Sequence, residues 1–157
     1  MQVMAHKVKP VLKKSVRGLC VRPYTNHPRG CPNYNKRGNC PPKARLLGDI
    51  IDLSKPVWLI FNAFDFGSHT KKMRARHPEW TDRQVECCLY WQNTARKQLR
   101  DKIADFLAAR SKGSHLIVLD CPEACGVDIT ATMESIGVKM EWPPVTVAYQ
   151  VALVGEP

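Results

Sequence analysis

Three cysteines share one turn-rich stretch, "CVRPYTNHPRGCPNYNKRGNCPP", as Cys20, Cys31 and Cys40. Thiolates are soft donors that select zinc or iron–sulfur clusters. The intervals, Cys20-x10-Cys31 and Cys31-x8-Cys40, are neither the short paired spacings of zinc fingers nor the tight ferredoxin run. Widely spaced thiolates on a stiff loop can still converge on one centre. Cys31, Cys40 and Cys121 each precede a proline. That biases the cysteine backbone to extended geometry and throws the sulfur away from the chain. Gly30, Gly38 and Asn39 let the backbone curl, so that amides can face a negatively charged sulfur-rich centre.

The fourth position is open between Cys121, Cys125, His27 and no protein ligand. A zinc reading uses Cys20, Cys31, Cys40 and either His27 or Cys121, and the site is structural. An iron–sulfur reading, of the four-iron kind, uses the three loop cysteines with Cys121 or Cys125. With three ligands only, one iron keeps a position for substrate. Cys121 and Cys125 also form a candidate redox pair, although their three-residue gap differs from the two-residue thioredoxin gap. His27, His69 and His77 read as solvated side chains, and Cys87 and Cys88 as packing thiols.

Charge is unevenly spread. Residues 1–46 hold eleven Lys or Arg and no Asp or Glu, whereas residues 111–157 hold two against six. Within the whole chain of +10, the thiol loop therefore lies in the most positive part. Arg22, Arg29, Lys36, Arg37, Lys43 and Arg45 form a candidate anion-binding set. They suit an anionic substrate or nucleic acid. Tyr24 and Tyr34 are candidate stacking rings for the latter.

With 157 residues and 44% hydrophobic content, one domain with its own core is expected, without staples. No apolar run reaches the length of a membrane span. Residues Met1–Cys20 are basic but lack an apolar run of signal length. The expected compartment is the reducing cytoplasm, where clustered cysteines are more often metal ligands or reactive thiols than disulfides. The sequence has no P-loop, dinucleotide turn or hydrolase motif.

The elements that must hold these residues follow from periodicity. Residues 1–19 read as a basic arm or edge strand and residues 20–42 as a breaker-rich loop in need of a tie, with metal the simplest. "KARLLGDIIDL" has helical spacing after Pro41 and Pro42, "PVWLIFNAF" reads as a buried strand, and "DFGSHTKKMRARHPEW" is polar and turn-like. A long helix is expected from Thr81, with Gln84 completing a capping box, Cys88, Leu89 and Leu107 inward, and Gly113 as its stop. "HLIVLD" and "VTVAYQVALV" read as strands, with a short helix between them, Ile129 to Ile136, capped by Asp128 and ended by Gly137. The sum is an α/β fold (α+β is the alternative): a single compact domain with a small mixed sheet of three or four strands covered by helices. "CPEACG" then stands at a strand end, where open α/β sheets place active groups.

The run "GCPNYNKRGNCPP", followed by "EACGVDITATMESIGVKMEWP" and "VTVAYQVALV", resembles a widespread family of small cysteine-rich "predicted metal-binding" proteins of unknown function. The likeness extends from Cys20 to Val154 in the same order. It implies a metal or iron–sulfur centre at Cys31 and Cys40 with Cys20 as third ligand, and no established reaction. Members carry a second dense cysteine cluster before the "GIDV"-like turn; here only Cys121 and Cys125 stand in that region.

Overall fold

Two long apolar runs make the centre of the sheet. In the computed structural model, which describes residues 5–23, 27–110 and 115–157, β2 (Val57–Phe64) pairs antiparallel with β4 (Ala148–Gly155). Successive side chains of a strand point to opposite faces, so β2 feeds two cores. Val57 and Leu59 join Val151 and Leu153 on one face, with Leu47, Ile51, Cys125, Val127, Ile129 and Met133 packed over them. Ile60, Ala152 and Val154 line the other face, against Leu99, Ile103 and Phe106. Leu59 and Leu153 are directly opposed partners, each 0% exposed. Tyr24 and Gly113, read above as stacking ring and helix stop, lie outside the described residues.

Short strands complete the sheet. β1 (His6–Val8) pairs with β2 and β3 (Ile117–Leu119) with β4, giving the order β1-β2-β4-β3. Helices and this single sheet form one compact domain of the expected class. All the pairings are antiparallel rather than mixed, because strand direction leaves no trace in residue periodicity. The rule for carboxyl ends of open, mostly parallel sheets therefore does not govern "CPEACG".

Three local expectations are corrected. "DFGSHTKKMRAR" is a helix, α1 (Phe66–Arg76), not a turn. Asp65 caps it by accepting from the Ser68 amide at 3.0 Å. Only Phe66 and Met73 are buried on α1, too sparse an apolar stripe to reveal the helical period. The long helix from Thr81 is broken. Its capping box is present, but α2 (Asp82–Val85) gives way to a 3-10 turn at Cys88–Tyr90 before α3 (Gln92–Ala108). The break lets Trp91 pack against Phe64 and Phe66, ring centroids 5.4 and 5.2 Å away. Its indole donates to the Glu86 carbonyl at 3.2 Å, and Leu89 is left 79% exposed instead of buried. Finally, "KARLLGDIIDL" forms only a 3-10 turn, Leu47–Asp49, although Leu47 and Ile51 are buried.

The last helix, α4 (Ile129–Glu134), is capped by Asp128, which accepts from the Ala131 amide at 3.0 Å. Gly137 follows it at φ 82°. The basic N-terminal segment is stitched across this region. Asp128 donates its amide to the Val11 carbonyl at 2.8 Å, and Lys13 donates to the Gly126 carbonyl at 2.7 Å. A 3-10 helix, Lys14–Val21, is thereby laid against the 3-10 turn Pro122–Cys125. No helix among the described residues is long and apolar enough to cross a membrane.

Candidate metal centre

Cys20 lies near the end of the Lys14–Val21 helix. A 3-10 helix nearly eclipses side chains three apart, so Arg17 stands over the same face. The Cys20 carbonyl accepts the Cys31 amide at 2.7 Å, which sets two cysteines from distant parts of the loop side by side. Gly30 makes this approach possible. Its φ is +82°, and a Cβ there would lie 2.6 Å from the Cys20 carbonyl oxygen. Only glycine meets both demands at little cost.

The rest of the loop is a series of turns closed on itself. Tyr34 donates to Cys31, Lys36 to Asn33, Cys40 to Arg37 and Ala44 to Cys40. Asn35, at φ 59°, donates across the loop to the Pro41 carbonyl at 2.7 Å; asparagine tolerates that backbone region better than most residues. Arg17 then binds the far end, its Nη2 donating to the carbonyls of Pro42 at 3.0 Å and Ala44 at 2.6 Å. The segment expected to need a metal tie is thus held by backbone hydrogen bonds and one guanidinium.

Some of the thiols lie close enough to influence one another's charge. The Cys20 thiol is pushed up by burial first, then by Cys31, Cys40 and Glu123, against the opposing charge of Arg17. Cys121, just before the Pro122–Cys125 turn, is pushed up to about 11. The residue keeps exposed surface, and partial desolvation of its sulfur is the first cause, followed by Asp120, Glu123 and Cys40, with Arg96 of α3 opposing. Burial also raises Cys125, which Arg17 partly offsets. The Glu123 carboxyl is itself raised by burial. Without metal, Cys20, Cys121 and Cys125 therefore favour the neutral thiol, a poor nucleophile.

Among the described residues, no three Cys, His, Asp or Glu side chains already stand around a common point as a ready ligand group. The surroundings nevertheless suit a negatively charged, sulfur-ligated group. The Nε of Arg17 is buried without a hydrogen-bond partner, next to two thiols whose charge it stabilises. Among the described residues, Cys40 Sγ makes a weak contact to Asn39 Oδ1 at 3.9 Å.

The remaining expected residues fall as follows. Arg22, Arg29, Lys36, Arg37, Lys43 and Arg45 are all exposed, and Arg45 donates to the Asp49 carbonyl. His27 is half-buried at the start of the turn series, its carbonyl accepting from Gly30. Cys87 and Cys88 belong to another segment, the break before α3. Arg17, Arg96 and Glu123 were not singled out by sequence reasoning. Arg17 could have been found from its three-residue spacing to Cys20, had the segment been read as helical. Arg96 and Glu123 meet the thiols only through tertiary packing.

No family model, curated protein or solved structure matches this chain.

Proposed function

We propose that this chain is a metalloprotein that binds an iron–sulfur cluster through Cys20, Cys31 and Cys40, with Cys121 as the fourth sulfur. The observation that supports the reading is the backbone bond that sets Cys31 beside Cys20, together with the charge interaction of Cys40 with both Cys20 and Cys121. Soft donors in excess of carboxylates favour such a centre. The unpartnered Nε of Arg17 and the amides of the curled loop are donors suited to its charge. The resemblance of "GCPNYNKRGNCPP" to the cysteine-rich metal-binding family points the same way. When bound, the cluster supplies redox or sulfur chemistry. The chain's own residues position it, and the exposed cations from Arg22 to Arg45 draw an anionic partner towards it.

A structural-zinc nucleic-acid module is the second reading. Its support is the exposure of those six cations together with Tyr34, 37% exposed. Purification under anaerobic conditions, with iron, sulfide and zinc analysis and a visible spectrum, separates the two. A brown protein with iron and labile sulfide, lost together in Cys31→Ser and Cys40→Ser, is expected. A colourless protein with one zinc per chain replaces the first reading by the second. Metal-free protein after reconstitution with either metal removes both.

A further inference from the structure

A basic helix runs directly into a stack of rings, both made from residues outside the thiol group; the first ring, His77, also has Glu79 Oε1 at 3.8 Å from its Nδ1. On α1, Lys71, Lys72, Arg74 and Arg76 are all exposed, and no acidic residue lies between Phe66 and Arg76. Among the described residues, Arg74 alone of the four forms a salt bridge, to Asp82 at 2.8 Å. Directly after α1, the His77 ring lies parallel to Trp80, centroids 3.8 Å apart and planes 6° from each other. Tyr90, brought in by the break before α3, continues the series at 5.3 Å from Trp80. It is 51% exposed, so ring surface is open to a ligand.

We infer that this surface binds single-stranded nucleic acid, with Lys71, Lys72 and Arg76 on the phosphates and a base stacked on the His77–Trp80–Tyr90 series. Cations that track a backbone beside flat rings that receive bases are what sequence-tolerant single-strand binding requires. Other anionic partners use only half of the surface. An acidic peptide engages the cations but brings no planar groups to the rings. A duplex keeps its base faces within its own stack. A membrane-surface helix needs a lipid-facing apolar stripe, and the apolar residues Phe66 and Met73 of α1 are instead buried in the protein. The inference is independent of the thiol centre, because none of its residues belongs to that group.

Fluorescence anisotropy of the full chain with a labelled oligo(dT) of about twelve nucleotides, within the usual site sizes, tests it. Binding at low salt is expected. The triple variant K71A/K72A/R76A weakens it at least tenfold and flattens the logarithmic salt slope by about 2, from three lost phosphate contacts. Tyr90→Ala weakens it about fivefold or more and reduces the tryptophan quenching that accompanies binding. The loop variant R22A/R29A/R37A changes affinity less than the α1 variant. The inference is overturned by absence of binding, by a greater loss from the loop variant, or by a Tyr90→Ala protein that binds as well as the parent. Equal or tighter binding of a duplex, polyglutamate or anionic vesicles overturns it as well.

Discussion

Arg17 and Ala44 are 27 residues apart, and the guanidinium Nη2 of the first donates to the carbonyl of the second at 2.6 Å. With the bond to Pro42, one side chain joins the helix that carries Cys20 to the far end of the cysteine loop. Replacing Arg17 by Leu leaves two carbonyls short of a charged donor. The expected cost is about 2 kcal/mol, read as a lower urea midpoint, together with less metal per chain. Arg17→Lys keeps the charge but lacks the planar fork, and falls between the two in stability. A leucine variant equal to the parent in both measurements removes Arg17 from the role of pin.

Gly30 sets the contact between Cys20 and Cys31. Gly30→Ala meets a carbonyl oxygen at 2.6 Å and a left-handed backbone at once, which costs about 1–2 kcal/mol for the backbone alone. The variant is expected to be less stable and to load less metal. Gly38→Ala is the matched control, since nothing lies within 4 Å of a Cβ there. Equal metal content in the two variants would show that the Cys20–Cys31 approach is irrelevant to binding.

The Cys121 thiol, pushed up to about 11 from an ordinary value of 9.0, controls alkylation of metal-free protein. Only the thiolate reacts. Near pH 8 its modification by iodoacetamide is therefore expected to be about a hundredfold slower than that of an unshifted thiol. Mass spectrometry against pH should place the midpoint near 11. A midpoint near 9 contradicts the raised value, since the residue itself keeps exposed surface. Because the folded value is raised, the thiol's contribution to stability is intact below about 9 and is lost as pH climbs towards 11.

His69 sits among rings, with Phe64 at 5.9 Å and Phe66 at 6.3 Å. Burial, and then Lys72, lowers its pKa from 6.5. The unfolded chain therefore takes up this proton first. The His69 contribution is constant above about 6.5 and declines as pH falls below it. Melting temperatures of parent and His69→Phe proteins are expected to converge or cross as pH drops from 7 to 5, with the parent losing more. Parallel curves would rule out a depressed His69.

The sheet was legible because β2 and β4 are unbroken apolar runs, a pattern that survives without tertiary context. The helices were less so. Thr81 and Gln84 announce a start, but nothing local says that Trp91 will be claimed by Phe64 and Phe66 and break the helix. α1 was missed because most of its side chains serve solvent. At the site, Cys20, Cys31, Cys40 and Cys121 stand out by residue type and by their prolines. What organises them does not. Arg17 acts through carbonyls that any residue would supply, while Arg96 and Glu123 are near the thiols only because α3 and the Pro122–Cys125 turn are folded there.

The position of β4 has a consequence for biosynthesis. Asn62 of β2 and Gln150 of β4 touch across the sheet at 2.9 Å, yet 88 positions separate them. On the ribosome, β2 leaves the exit tunnel long before the strand that satisfies its inner edge, and so non-local a pairing closes slowly. The loop thiols emerge earlier still, when no sheet exists beneath them. Insertion of the proposed cluster would then follow translation, and oxygen has its best access to those sulfurs in the interval before the central strand arrives.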